Sequence, residues 1–99
     1  MEFFEPWYTP KDLGRLEAQL ASEVPAGHVL SGISVRALAQ RQDCDDVLFQ
    51  LLDGSSRVAV VHLTYSANPT ANCPTTKFFP GISEWVRDCM LPAHSEFNA

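Results

Sequence analysis

The sequence predicts an α+β fold: a three-stranded antiparallel β-meander packed by an N-terminal and a C-terminal helix, in the order α-β-β-β-α. Three observations carry this. Residues 45–65, DDVLFQLLDGSSRVAVVHLTY, read as two strands joined by a tight turn at Asp53-Gly54-Ser55-Ser56. Leu13, Leu16, Leu20 and Val24 recur at spacings of three and four, the apolar stripe of a helix. Ile82, Trp85, Val86 and Cys89 repeat that pattern further along. An isolated hairpin is marginal in water, so a third strand is expected beside it.

Residues 1–9 are dense in aromatics (Phe3, Phe4, Trp7, Tyr8) and contain Pro6, so they are expected to lie across the core as an extended arm. Thr9 has the chemistry of a helix N-cap, with Pro10 at the first helical position and Asp12 two residues on. Tyr8 and Leu13 fit a hydrophobic staple. The first helix is expected over residues 10–22, ended by Pro25-Ala26-Gly27. Between residues 28 and 41, Ile33, Val35, Ala37 and Ala39 alternate with Ser34, Arg36, Leu38 and Gln40, the pattern of a strand. A short helix over 36–42 is the alternative, because RALAQRQ has helical propensity. The central strands are expected at 47–52 and 57–65. Residues 66–76 form the longest loop, and Phe78-Phe79-Pro80 returns the chain to the core. Pro80 or Gly81 opens the last helix and Pro92 stops it, leaving 93–99 partly ordered with Phe97 as an anchor. The whole chain, 1–99, reads as a single domain.

A hairpin turn of two residues sets Phe49 opposite Val58, and one of four sets it opposite Val60. Either even length groups Val47, Phe49, Leu51, Val58, Val60 and His62 on one face. Leu48, Gln50, Leu52, Arg57, Ala59, Val61, Leu63 and Tyr65 then share the other. Both faces are too apolar for a sheet wetted on one side. The first is expected to be the helix-packed core. The second needs a cover: the aromatic arm, the long loop or another chain. A homodimer or partner interface is therefore expected there, with Leu48, Leu63 and Tyr65 on the face and Asn68, Asn72 and Cys73 in the adjoining loop as binding residues.

Composition narrows the function. Apolar residues make up 45% and charged residues 19%, as in an ordinary globular chain. The net charge is −5, and the seven basic residues are scattered, so no phosphate-tracking surface is expected, and neither nucleic acid nor an anionic membrane is an expected partner. No basic leader or long apolar run opens the sequence, and no segment has the length of a membrane span. Three cysteines without a CxxC point to reduced thiols, and the expected location is cytoplasmic.

Candidate chemistry is sparse. His62 is the residue type for a general base or a metal ligand, and on this face assignment it sits over the core. Asp45-Asp46 pair two carboxylates before a strand, where turn chemistry is the simpler reading. Cys44, Cys73, Cys89, His62 and His94 have none of the short chelating spacings of structural zinc sites. A Cys–His nucleophile pair requires proximity that sequence does not supply. Phosphate-binding loops, nucleophile elbows and HExxH are missing from the sequence. No catalytic residue, metal or cofactor is assigned.

DDVLFQLLDG followed by VAVVHLTYS, a proline-bearing loop, PTTKFF and a closing W-x-x-x-C-M helix resembles a family of small uncharacterised bacterial proteins with a DDVLF…DG…VVHLT(W/Y) core. The resemblance covers about residues 30–94. It implies a bacterial cytosolic setting and no catalytic activity. Tyr65 and Cys73 stand where the family pattern has tryptophans.

The expected function is thus a non-enzymatic, cytosolic protein-interaction module of the immunity or inhibitor type, binding another protein or itself. The alternative is a small enzyme or small-molecule or metal binder, using His62 with nearby carboxylates or thiols.

Overall fold

The structure is a computed structural model that describes residues 2–66 and 73–98. Among them, one antiparallel sheet of five strands runs β1 (Trp7–Tyr8), β2 (Val35–Arg41), β3 (Asp46–Leu51), β4 (Val58–His62) and β5 (Thr75–Phe79), in chain order. Helix α1 (Leu13–Glu23) lies between β1 and β2 in the chain. The C-terminal helical segment comprises α2 (Ile82–Trp85), a π-helical turn (Val86–Met90) and α3 (Leu91–Phe97).

The class is α+β, but the meander has five strands where three were expected. The two missed strands are the edges. In β1, only Trp7 and Tyr8 pair, with Arg41 and Gln40, which is too short to show alternation. In β5, Thr75-Thr76-Lys77-Phe78-Phe79 is β-branched and aromatic, but it follows directly on a proline-bearing loop and is too short for its pattern alone to mark a strand.

The hairpin register also differs. Phe49 pairs with Ala59 and Val47 with Val61. The Leu51 N–H donates to the Arg57 carbonyl at 3.1 Å, so residues 52–56, an odd number, close the turn. Gly54 (φ 82°) and Ser56 (φ 63°) both adopt the left-handed region. Asp53 Oδ1 accepts from the Ser55 N–H at 3.0 Å, and Asp53 Oδ2 meets Arg57 Nη2 at 3.3 Å. An odd closure moves every β4 side chain to the opposite face from the one expected. A bulge in β2 has a similar effect: Ala37 pairs with Phe49 but Ala39 with Leu48, so the two alanines lie in different cores.

Each face therefore carries its own core. Leu16 and Leu20 of α1 pack with Leu30, Ala37, Val47, Phe49, Leu51, Ala59, Val61 and Leu63. On the opposite face, Trp85, Met90 and Ala93 of the C-terminal segment join Trp7, Ala39, Leu48, Val58 and Phe79. Trp7 and Trp85 meet edge to face with centroids 5.1 Å apart, and Phe3 meets Trp85 at 5.8 Å. The Trp7 indole N–H is buried without an acceptor among the described residues, a cost this aromatic packing has to exceed. The second face is thus covered by the chain's own arm and C-terminal helix. The exposed apolar face that motivated a homodimer interface does not exist there, and Leu48 and Leu63 are core residues.

Two helix ends differ from expectation as well. Asp12, not Thr9, caps α1, its Oδ1 accepting from the Arg15 N–H at 3.0 Å. Pro92 does not stop the last helix. The Leu91 N–H reaches back to the Val86 carbonyl, five residues earlier, and this widened turn admits the proline at the start of α3. The segment expected to be partly ordered is helical to Phe97, whose side chain stays half-exposed.

Leu48→Ala and Leu63→Ala should each lower unfolding free energy by about 2–5 kcal/mol. The same change at the exposed Leu52 should stay within about 0.5 kcal/mol. Urea denaturation followed by circular dichroism measures all three, and unchanged stability at Leu48 or Leu63 would contradict the two-core packing.

Candidate functional site

One end of the sheet gathers most of the residues to which the sequence points. Asp46 opens β3, His62 closes β4, and the register sets them opposite one another. His62 Nδ1 lies 2.8 Å from Asp46 Oδ1. Contrary to expectation, His62 is not over the core: the odd turn closure places it on the surface, its side chain 55% exposed. An exposed pair of this kind contributes little to stability. The neighbouring Asp45 is used through its backbone, its carbonyl accepting from the Leu63 N–H at 3.1 Å.

The Cys44 and Cys89 thiols are not activated. Partial burial of the Cys44 sulfur pushes its pKa up, and the Asp46 and Asp43 carboxylates add to that, against the Asp46 N–H and Arg41. Such a thiol stays protonated at neutral pH, the opposite of an activated nucleophile. Burial also pushes the Cys89 thiol up. Arg41 is held by Asp43 through two 2.8 Å hydrogen bonds. Among the described residues, no three of His, Cys, Asp and Glu stand together so as to hold a metal ion. Tyr65 and Cys73 are exposed at this end. Asn68 and Asn72 lie outside the described residues. Of the expected binding residues, Leu48 and Leu63 are beneath the surface and do not line a binding face.

Two buried polar residues that sequence reading passed over fix this end of the sheet. Glu23, the last residue of α1, is 2% exposed. Its Oε1 accepts from the Thr64 N–H (2.7 Å) and Oγ1 (2.8 Å), and its Oε2 from the Tyr65 N–H (3.0 Å) and Gln19 Nε2 (2.7 Å). Two successive backbone N–H groups thus converge on one carboxylate, an anion nest filled by the chain itself. Tyr65 sits in the left-handed region (φ 53°), a conformation that costs a non-glycine residue on the order of 1 kcal/mol and that the carboxylate holds in place. Burial pushes the Glu23 pKa up, but the bonds from Gln19, Thr64 and Tyr65 outweigh it, and the net direction is down. His28, on the α1–β2 connection, accepts the Leu30 N–H at Nδ1 (3.0 Å), so its Nε2 carries the proton and donates to the Pro74 carbonyl (2.8 Å). Glu23 and His28 thereby grip the chain on either side of residues 67–72. A sequence signal for Glu23 existed: it lies three residues after Leu20 and seven after Leu16, on the buried stripe.

The concave surface lies elsewhere. A groove of about 510 Å³ runs between α1 and the segment leading into β2, lined by Leu20, Ala21 and Val24 on one side and by residues 30–35 on the other. Its one titratable lining residue is Glu17, whose Oε2 accepts the Ala37 N–H at 2.8 Å. Leu52, 49% exposed, donates its N–H to the Ser34 carbonyl at the groove's end (2.8 Å), and Val29, 60% exposed, adjoins the lining residue Leu30. Nothing in the sequence marked this groove, because residues 30–35 line it through turns with no periodicity.

Comparison with protein-family models, with curated proteins and with solved structures finds no match. No helix among the described residues is long and apolar enough to cross a membrane.

A lowered Glu23 pKa means the carboxylate stabilises the fold above the ordinary carboxylate range of about 4, and that this is lost as pH falls through the lowered value. Glu23→Gln should destabilise the protein by about 1–3 kcal/mol at pH 7, and its penalty should shrink as pH is lowered below about 4. Thermal melts of both proteins between neutral and acid pH check this; a penalty independent of pH would show that the charge is not what Thr64 and Tyr65 recognise.

Proposed function

We propose that this chain is a non-enzymatic protein-interaction module, of the immunity or inhibitor type, that engages its partner through the groove between α1 and β2. The observation that carries this reading is the groove itself: an open concavity of mixed polar and apolar lining, with exposed apolar residues at its margin. The titratable residues elsewhere support it from the other side. Glu23 and His28 are committed to backbone groups, the Cys44 and Cys89 thiols are held protonated, and Asp46 and His62 are joined to each other at the surface. The cellular setting proposed with this reading, from the DDVLF-type core, is a bacterial cytoplasm.

A second reading has one observation in its favour, the 2.8 Å contact between His62 and Asp46, the arrangement that orients an imidazole for proton transfer. It gives a small binder or enzyme built on His62, with Tyr65 and Cys73 at the same end of the sheet.

Ala21 is an exposed groove residue on α1, and arginine is nearly as good a helix former as alanine. Ala21→Arg should fill the groove while leaving the melting temperature unchanged. In affinity capture from the source lysate, the wild-type chain should retain a stoichiometric partner that Ala21→Arg loses and His62→Ala keeps. Equal capture by wild type and Ala21→Arg would sink the groove as the site, and loss with His62→Ala alone would favour the second reading.

A further inference from the structure

We infer that the outer edge of β2 at residues 35–37 is a strand-addition site for an extended segment of another protein, one in which an acidic residue lies opposite Arg36 and is flanked by apolar residues entering the α1 groove. This rests on the groove reading above and adds the mode of recognition and the sequence character of the partner.

Backbone geometry supplies the first half. On the outer side of β2, β1 pairs only with Gln40 and Arg41. Beyond Tyr8 the chain leaves the edge at Thr9-Pro10, where the proline has no N–H with which to continue a ladder. The Leu52 N–H donates to the Ser34 carbonyl, so Ser34 faces β3. Alternation then turns Arg36 toward β3 and turns Val35 and Ala37 outward. The Ala37 N–H confirms this parity, since it points away from β3 to Glu17. Val35 therefore presents both its N–H and its carbonyl to the open edge, directly beside the groove. An open sheet edge next to a groove that can take alternate side chains is the arrangement by which extended peptides are bound as added strands. Glu17 acts as a stopper, its carboxylate standing in for the carbonyl that a neighbouring strand would bring to Ala37.

Side chains supply the second half. Val35 and Ala37 pack on the α1 face of the sheet. Arg36 points to the opposite face, is exposed, and makes no hydrogen bond or ion pair among the described residues. Residues opposite one another on adjacent strands share a face. A strand added antiparallel, as in every other pair of this sheet, sets one residue over Arg36, where a carboxylate is favoured, and sends the residues on either side of it toward the groove. A second copy of this chain is a poor occupant. Pairing about this edge offers Arg36 no carboxylate from the copy's own residues 34–37, and it brings together two chains each of net charge −5.

The test is a display selection of short random peptides against the full chain, followed by synthesis of the winning sequence. The expected result is an apolar–acidic–apolar consensus whose binding Ala21→Arg abolishes. N-methylation of the apolar residue opposite Val35 should weaken binding about tenfold, while N-methylation of the acidic residue, whose N–H points away, should change it by less than about threefold. Arg36→Glu should weaken the acidic peptide and favour its lysine counterpart, and Glu17→Ala should tighten binding by opening the edge. Peptides that Ala21→Arg displaces but that ignore both N-methylation and Arg36→Glu would overturn strand addition and leave the groove reading standing. Selected peptides indifferent to Ala21→Arg, or no selection above background, would overturn both.

Discussion

Residues 52–56 form an odd-length closure that decides which way every side chain of β4 faces. With Leu51 bonded to Arg57, Phe49 falls beside Ala59, and the small partner leaves room above the ring for Leu16 and Leu20 of α1. Val58 turns to the other face, into the core that holds Trp85. The left-handed backbone at Gly54 and Ser56, braced by Asp53, is what makes this closure possible. With each side of the sheet apolar, a helix is needed on both, and the C-terminal segment is as much a part of the fold as α1. The β2 bulge extends the same division by placing Ala37 and Ala39 in different cores, where flat alternation would have put them together.

Within this frame, the buried polar groups serve the backbone. Glu23 is a carboxylate at the C-terminal end of a helix, where the macrodipole disfavours negative charge. Four donors from Gln19, Thr64 and Tyr65 offset that and its desolvation. His28 completes the arrangement on the far side by bonding Pro74. The end of α1 is in this way tied to β4 and to the entry of β5, neither of which it follows in the chain. At the groove next to α1, Glu17 accepts the Ala37 N–H and His28 the Leu30 N–H.

The class and the three inner strands were legible because their hydrophobic period is strong and their boundaries carry turn residues. So were the stripes of α1 and of the C-terminal helix. The edge strands were not: two residues of β1 cannot show a period, and β5 is read as a strand only once β4 is there to pair with it. Parity failed for a specific reason. Asp53-Gly54 suggests a short even turn, and nothing local signals that Ser56 will also adopt a positive φ. That choice reversed the placement of Val58, Val60, His62 and Leu63, and with it the idea that Leu63 lay at a surface. Glu23 was visible in principle, as an acid on a buried stripe. The groove was not, since it arises from the distance between α1 and a turn-rich segment that only tertiary packing sets.

The second core is sewn from the two extremes of the chain. Phe3 and Trp7 pack on Trp85, the Phe4 N–H meets the Met90 sulfur, and His94 stacks on Phe4 and bonds the Glu5 carbonyl. Along the chain, the fully buried residues of the α1 core are all reached by Leu63, with Phe78 packing against them later, whereas the arm's aromatics meet a helix more than twenty residues beyond Leu63. The last helix is thus what closes the second face of the sheet over Trp7, Leu48 and Val58, residues the chain supplies long before it.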